Sequence, residues 1–133
     1  MADAASPTVV REVADVPPVR TDRHKVVQIL INLITNAKIA MASMPEGEKV
    51  LRVRLSRAGA QLRVEIADNG VGIAPEHRDK LFNHGFTTRH DGRGFGLHAS
   101  ALAARAIGGT LTLESEGPGR GAAAVLDVPL STA

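Results

Sequence analysis

Two neighbouring segments of alternating apolar and polar residues constrain the fold of this chain more than any other feature of its sequence. Residues 49–58 (KVLRVRLSRA) and 61–68 (QLRVEIAD) follow the two-residue period of a strand with one buried face. Between them stands Gly59, which accepts the backbone angles of a tight turn. The pattern predicts an antiparallel hairpin whose apolar face must be covered by other elements.

Three further strands and three helices are predicted from the rest of the chain. The predicted strands are 8–13, 110–116 and 122–130, and the predicted helices are 23 to about 44, 75–82 and 97–107. Asp22 is placed to cap the first helix, and Gly108 and Gly109 follow the last one. Strands with helices between them predict an α+β fold, a two-layer sandwich with helices on one face of a mixed, mostly antiparallel sheet.

The apolar residues of the first helix predict which side of it meets the sheet. One stripe recurs at alternating spacings of three and four and comprises Val27, Leu30, Ile34, Ala37, Met41 and Met44. Outside this stripe lie Ile29, Ile31, Leu33 and Ile39. We therefore expect the helix to be covered on more than one side.

Size, charge and cysteine content limit the classes of protein to consider. At 133 residues the chain fits one domain, expected at residues 8–133 after a disordered lead at 1–7. The net charge of +2 comes from 16 basic and 14 acidic residues without a basic cluster, which argues against nucleic acid as a partner. The chain has no cysteine for disulfides or thiolate metal sites, and no apolar run long enough to cross a membrane. We expect a soluble domain without membrane contact.

A polar strip interrupts the apolar first helix. Gln28, Asn32, Thr35 and Asn36 share one face of it. Asparagine is a mediocre helix former and is costly to bury without a partner, so two of them on one face indicate a polar group opposite. An amide oxygen suits Mg²⁺, which takes few protein ligands beside phosphate and water. A solvated or internally bonded strip is the alternative.

The sequence DNGVGI follows the second strand of the hairpin. Gly70 and Gly72 allow positive φ angles and the close approach of a flat ligand to the backbone. The carboxylate of Asp68, at the strand end, is placed to accept a hydrogen bond from an exocyclic amine. A simple Asp-Asn-Gly turn is the alternative interpretation of these residues.

A stretch without any period contains all three phenylalanines of the chain, Phe82, Phe86 and Phe95. Its end, GRGFGL at 92–97, sets alternate glycines before a predicted helix, so that backbone N–H groups and a helix N-terminus face an anion together. Neither the P-loop nor the dinucleotide fingerprint matches, because no Gly-Lys-Ser/Thr follows and no strand precedes. Further donors suited to phosphate are Thr87, Thr88 and Arg89.

The order of these motifs resembles one known family. The boxes named N, G1, F, G2 and G3 of the ATP-binding catalytic domain of sensor histidine kinases are similar to QILINLITNAKIAM, DNGVGI, LFNHGFTTR, GRGFGLHAS and GRGAAAVLDVP. That superfamily includes DNA gyrase, the ninety-kilodalton heat-shock chaperone and the mismatch-repair ATPases. The resemblance covers the chain from about Val13 to Leu130. It implies a Bergerat-type α/β sandwich that holds ATP between helices and a lid, here at about 82–96.

The resemblance implies a role for each box. Asn36 corresponds to the Mg²⁺ ligand and Asn32 lies near the phosphates, so both are candidate catalytic residues. Asp68 corresponds to the carboxylate that binds the adenine amino group, and Phe82 and Phe86 to the residues that pack the lid. The implied nucleotide contacts are Asn32, Asn36, Asp68, Gly70, Gly72, Ile73, Phe86, Thr87, Thr88, Arg89, Gly92, Arg93, Gly94, Phe95, Gly96, Leu97 and His98.

The implied function is transfer of the γ-phosphoryl group of Mg-ATP to a histidine on a separate phosphoacceptor and dimerisation domain in two-component signalling. A response regulator receiver domain would act downstream. None of the five histidines begins the His-Glu/Asp pattern, followed by proline, of a phosphoacceptor helix. We therefore expect that domain to be missing, and this chain to be a cytoplasmic monomer with little turnover alone. The parent protein is free to carry a membrane anchor.

Three alternatives stay open: a superfamily ATPase, a serine kinase of the anti-sigma-factor type, and a degenerate binding module. Hydrolysing relatives carry a glutamate at the position of Asn32, and an amide cannot replace it as a base. The intact boxes argue against the degenerate module.

Some positions depart from the family pattern. Ile39 stands where a charged residue is common, next to Lys38. Alanines 122–124 replace a hydroxyl of the last box, which removes one contact to adenine. Arg93 adds a cation to the glycine box; it is among the implied nucleotide contacts, but the resemblance defines no specific role for it or for Lys38.

Overall fold

A computed structural model describes residues 7–16, 21–45, 47–72 and 95–130 of the chain. The elements within them are β1 Thr8–Val13, α1 Arg23–Ala40, β2 Val50–Ala58, β3 Gln61–Asp68, α2 Phe95–Ala106, β4 Thr110–Glu114 and β5 Ala122–Pro129. The described strands form one five-stranded sheet in the order β1-β2-β3-β5-β4. β1 pairs with β2 in parallel, and the other neighbours are antiparallel. The predicted α+β fold with a mixed, mostly antiparallel sheet is confirmed.

The central hairpin forms as the alternating pattern predicts. Gly59 begins its turn with a φ of 62°. Leu51 on β2 and Ile66 on β3 belong to the core that the sheet shares with both helices. Asp68 lies two residues after Ile66, so its side chain emerges from the same face of the sheet. The strand period therefore directs the last carboxylate of β3 to the helix side.

α1 begins as predicted but ends earlier. Asp22 accepts a hydrogen bond from the Lys25 N–H at 3.2 Å and caps the helix. The helix ends at Ala40 instead of about Met44. The carbonyl of Ala40 instead accepts a hydrogen bond from the N–H of Val71 at 3.0 Å. Pro45 also limits how far the helix could extend, because proline disfavours helical geometry in the residue before it.

The buried side of α1 differs from the predicted stripe. Val27, predicted to face the core, is 47% exposed, and Leu30 and Ile34 are only partly buried. The buried row is Ile29, Leu33, Ala37 and Met41. Ile31, on the opposite side, is 57% exposed. The predicted stripe was right for Ala37 and Met41 and wrong for Val27, because α1 carries two overlapping apolar rows and periodicity alone cannot choose between them.

α2 packs beside α1 and completes the cover of the sheet. Leu97 and Ala104 of α2 join the core together with Ala124, Leu126 and Val128 of β5. At its end the predicted glycines act as expected, with Gly108 at a φ of 80° and the Gly109 N–H bonded to the carbonyl of residue 104 at 2.8 Å. Both described helices therefore lie on one face of the sheet, as predicted.

Candidate functional site

The two asparagines of α1 have different surroundings. Asn32 is half-buried, and its Nδ2 donates a hydrogen bond to the Oγ of Ser100 on α2 at 3.1 Å. Asn36 is also half-buried, and its Nδ2 is buried without a hydrogen-bond partner among the described residues. An internally bonded strip therefore explains Asn32 but not Asn36. A buried donor without a partner costs about 1–3 kcal/mol, and such an atom in a native fold calls for an explanation, such as a ligand.

Asp68 ends β3 as a half-buried carboxylate. Its Oδ1 accepts a hydrogen bond from the Gly70 N–H at 2.8 Å, which is the turn that formed the alternative interpretation. A carboxylate accepts several hydrogen bonds, so this turn and a ligand contact are compatible. The hydrogen bond in the turn orients the carboxylate and does not use all of its acceptor capacity.

The glycines of the DNGVG loop make close contacts with the chain's own backbone. A Cβ on Gly70 would lie 2.3 Å from the carbonyl oxygen of Ala40 at the end of α1. A Cβ on Gly72, whose φ is 72°, would lie 2.1 Å from the carbonyl oxygen of Gly117. Packing thus requires glycine at both positions. The expected approach of a flat ligand to these two residues stays a prediction.

Backbone hydrogen bonds hold the DNGVG loop between α1 and the β4–β5 loop. The Val71 N–H bonds to the Ala40 carbonyl at 3.0 Å, and the Gly121 N–H bonds to the Gly70 carbonyl at 3.1 Å. Asn69 ties the loop to the start of β2, because its Oδ1 accepts from the N–H of residue 50 and its Nδ2 donates to the carbonyl of residue 48. Asp68 is therefore held close to the last turn of the helix that carries Asn36.

An open cleft of about 530 Å³ lies at the ends of β3, β5 and β4. Its lining includes Asp68, Ser115, Arg120 and Ala122. The absence of a hydroxyl at residue 122, noted in the sequence, leaves an alanine beside the carboxylate. The described part of this cleft reaches the carboxylate but not the amides of α1.

β4 ends at Glu114, two residues before the predicted end at Glu116. The Oγ of Ser115 donates to the carbonyl of Gly121 at 2.6 Å and accepts from the N–H of Gly117 at 3.2 Å. These bonds turn the chain out of the strand and close the glycine-rich loop. The loop is the one that contacts the DNGVG segment.

Arg63 and Asp22, which both lie away from these residues, have shifted pKa values. The Asp127 carboxylate binds the Arg63 guanidinium at 2.8 and 3.1 Å and raises the pKa of Arg63. This pair lies on the sheet face opposite the helices, because Asp127 alternates with core residues of β5. At the start of α1 the hydrogen bond from the backbone of Lys25 lowers the pKa of Asp22 from its ordinary value of 3.8.

Many predicted nucleotide contacts lie outside the described residues, as do Phe82 and the predicted helix at 75–82. They are Ile73, Phe86, Thr87, Thr88, Arg89, Gly92, Arg93 and Gly94. Phe95 and Gly96 form the first turn of α2. Next in α2, Leu97 is buried in the core and His98 is half-buried. Lys38 is exposed on α1.

Ser100 and Asn69 contribute to this region although sequence reasoning did not single them out. Ser100 is 1% exposed, and a serine at a fully buried helix position is uncommon unless it is hydrogen-bonded. Its spacing of four from the buried Ala104 was the signal available in the sequence. Asn69 could be recognised only as part of a turn, because its partners precede it by about 20 residues.

The described residues place two limits on the kind of site. They contain no group of three or more His, Cys, Asp or Glu side chains able to hold a metal ion. Within the same part of the chain, neither helix has the length and apolarity needed to cross a membrane.

Similar proteins are sensor and regulatory proteins of several bacteria. The chain is 37% identical over 114 residues to the nitrogen regulation protein NtrY of Azorhizobium caulinodans, covering 84% of this chain and 15% of that protein. It is 37% identical over 115 residues to the C4-dicarboxylate transport sensor protein DctS of Rhodobacter capsulatus, covering 86% and 17%. The sensory histidine kinase/phosphatase NtrB of Rhizobium meliloti is also 37% identical, over 70% of this chain and 27% of that protein. The chain thus spans a small part of each relative.

Solved structures with the same fold include histidine kinase domains. The nucleotide-free catalytic domain of the histidine kinase ThkA superposes with a TM-score of 0.81 at 24% identity, over 95% of this chain and 80% of that one. Full-length ShkA in complex with AMPPNP gives 0.82 at 26% identity, over 97% and 27%.

The sequence profile described as histidine kinase-, DNA gyrase B- and HSP90-like ATPase matches residues 21–132. That match contains both asparagines of α1, Asp68 and the glycine-rich segments. The chain therefore belongs to the family of histidine kinase-, DNA gyrase B- and HSP90-like ATPases.

Proposed function

We propose that this chain is the ATP-binding catalytic domain of a sensor histidine kinase. One observation carries the proposal: the buried amide nitrogen of Asn36, which has no hydrogen-bond partner in the described part of the chain, lies on the helix that contacts the loop following Asp68. A nucleotide that spans the two residues would meet a polar side chain at each end. The sensor kinases among the relatives favour phosphotransfer over the other chemistries of the family.

Asp68 would bind the adenine end of ATP. Its Oδ1 is oriented by the Gly70 N–H, and the carboxylate retains acceptor capacity for the exocyclic amino group. An amino group donates there, whereas the carbonyl of guanine would be repelled by a carboxylate. This charge relation favours ATP over GTP.

Asn36 would hold Mg²⁺ on the phosphate side. The residues present fit this ion, since Mg²⁺ needs only one or two protein oxygens and takes the rest of its shell from phosphate and water. When bound, Mg²⁺ supplies charge neutralisation on the phosphates. Nδ2 of the same amide, without an acceptor among the residues that the structure describes, would gain one from the bound nucleotide.

The contribution of this chain to the reaction would be positioning. A phosphoacceptor imidazole forms an N–P bond to the γ-phosphorus while the bond from that phosphorus to the β–γ bridging oxygen breaks, and ADP leaves with the electron pair. The proton of the imidazole leaves to a base or to solvent on the acceptor side. Asn32, an amide, does not take a proton from water, so transfer is favoured over hydrolysis.

The proposal extends to regions that the structure does not describe. Residues 8–133 would form the catalytic domain, with a lid at about 82–96 that contributes the predicted phosphate contacts. The acceptor histidine would lie on a phosphoacceptor and dimerisation domain of the parent protein, and a response regulator receiver domain would take the phosphoryl group next. This chain by itself would then be a cytoplasmic monomer.

The experiment is a titration with a fluorescent ATP analogue, with and without Mg²⁺. Asp68→Asn replaces a charged acceptor by a neutral one, and we expect affinity to fall by about tenfold or more. Thermal unfolding should change little, because the asparagine retains an oxygen for the Gly70 N–H.

Asp15→Asn is the matched control, because Asp15 is exposed in the segment after β1. It should bind like the unsubstituted chain. Unchanged affinity in Asp68→Asn would refute the adenine contact, and no binding by the unsubstituted chain would refute the function.

A further inference from the structure

The two helices are joined by a partly buried hydrogen bond between side chains. Nδ2 of Asn32 on α1 donates to Oγ of Ser100 on α2, 68 residues later in the chain, at 3.1 Å. Ser100 is 1% exposed, and Ala104, one turn further along α2, is 0% exposed. Small side chains at these two positions allow the helices to approach closely. The contact is therefore part of the helix–helix interface and not a surface bond.

This bond orients the amide of Asn32. A planar amide has a donor on one side and an acceptor on the other, so holding Nδ2 against Ser100 turns Oδ1 away from α2. Rotation of the amide would bring Oδ1 to Ser100 and turn Nδ2 away, and the hydroxyl would then have to change from acceptor to donor. In water the same side chain would sample several rotamers, and the interface restricts it to one.

The orientation matters because Asn32 lies one turn before Asn36. Residues four apart on a helix share a face, so the two amides point to the same side of α1. Asn36 has a buried nitrogen that no described residue bonds, whereas the nitrogen of Asn32 is bonded to Ser100. The amide of Asn32 is therefore oriented by the fold, whereas the amide nitrogen of Asn36 is placed to bind a ligand.

We propose that Ser100 is a positioning residue for nucleotide binding: its hydroxyl holds Asn32 so that Oδ1 faces the phosphate and Mg²⁺ side of the site. This inference rests on the proposed function. Ser100 touches neither nucleotide nor metal in it and acts only through Asn32. The hydroxyl of Ser100 is therefore expected to affect nucleotide affinity only when residue 32 carries an amide.

A double-mutant cycle tests this dependence. The variants are Ser100→Ala, Asn32→Ala and the double substitution, each titrated with a fluorescent ATP analogue in Mg²⁺ and in EDTA. Loss of this hydrogen bond predicts about five- to tenfold weaker binding of Ser100→Ala in Mg²⁺. In the Asn32→Ala background the same substitution should change affinity by less than about twofold, because the orienting bond is already absent.

Two further variants separate positioning from folding. Ser100→Cys keeps nearly the same volume with a poor acceptor, so we expect an unchanged melting temperature and a loss of affinity similar to that of Ser100→Ala. Ser56→Ala removes a serine hydroxyl from β2 and should leave binding unchanged.

The outcomes are distinct. A lower melting temperature of Ser100→Ala with unchanged affinity would make Ser100 a purely structural residue. An equal effect in both Asn32 backgrounds would show that it does not act through Asn32. Either result overturns this inference and leaves the proposed function standing, whereas absence of binding by the unsubstituted chain overturns both.

Discussion

At the scale of single residues, glycine makes the close contacts around Asp68. Gly121 has a φ of 71°, and a Cβ there would lie 2.1 Å from the carbonyl oxygen of Asp68. Gly70 is similarly close to the end of α1. A ligand contact at Gly70 stays a prediction, and the structure shows that Gly70 and Gly121 each lie against the chain's own backbone.

We predict that Gly121→Ala destabilises the fold much more than Gly59→Ala. Both glycines have positive φ, 71° and 62°, but a Cβ on Gly59 meets nothing within 4 Å. Gly59→Ala should therefore cost only the backbone strain, about 1–2 kcal/mol. Gly121→Ala should cost about 1–3 kcal/mol more, because the backbone must shift. Urea unfolding measures the difference, and equal free energies of unfolding would contradict it.

At the scale of elements, α1 combines a predictable start with an end that depends on the rest of the fold. Asp22 caps the helix through a local hydrogen bond, three residues ahead, which the sequence identifies. The last carbonyl, on Ala40, is instead satisfied by Val71 from the loop after β3. The end of the helix that carries Asn36 is thus coupled to the loop that follows Asp68.

We predict a pH-dependent contribution of the Asp22 cap. Its pKa is lowered in the folded chain, chiefly by the hydrogen bond from the Lys25 backbone, so the stabilisation is fully present above the ordinary value of 3.8 and is lost as the pH falls through the folded value. Asp22→Ala should lower the melting temperature by a few degrees at neutral pH.

The difference in melting temperature between Asp22→Ala and the unsubstituted chain should become smaller in acid, because the Asp22 carboxylate is then protonated. Asp22→Asn retains a side-chain oxygen for the cap and serves as the control. Its melting temperature at neutral pH should fall less than that of Asp22→Ala. A difference that stays constant below pH 3.8 would contradict the linkage to this carboxylate.

At the scale of the whole molecule, the sheet brings together motifs that are distant in sequence. The β3–β5 and β4–β5 pairings carry the last glycine-rich loop to the end of β3, where the DNGVG loop meets α1. Asn36 and the Asp68 loop therefore belong to one end of the molecule. This proximity is the geometric basis of the proposed nucleotide site.

We predict that the isolated chain binds ATP but releases no phosphate above the rate of a buffer control. Hydrolysis would need a base that takes a proton from water, and the position expected for this base on α1 holds Asn32. An amide cannot serve as that base. A steady-state phosphate assay measures the release, with binding verified in the same sample. Sustained release would favour the ATPase alternative over the phosphotransferase.

The sequence by itself determined the features that depend on local backbone geometry. A strand alternates every two residues and a helix cap needs a side-chain oxygen three residues upstream, so the β2–β3 hairpin, Asp22 and the glycine end of α2 were all predictable. The order of the boxes likewise identified the fold and the candidate residues Asn36 and Asp68.

Only the tertiary structure decided which apolar row of α1 is buried, which backbone groups the glycines contact, and that Ser100 holds Asn32. Each of these depends on a partner that another element supplies from far along the chain. Two helix rows with similar hydrophobicity look alike in sequence, and the packing against β3 and α2 chooses between them. Long-range contacts of this kind do not produce a local hydrophobic period, so a sequence pattern cannot predict them.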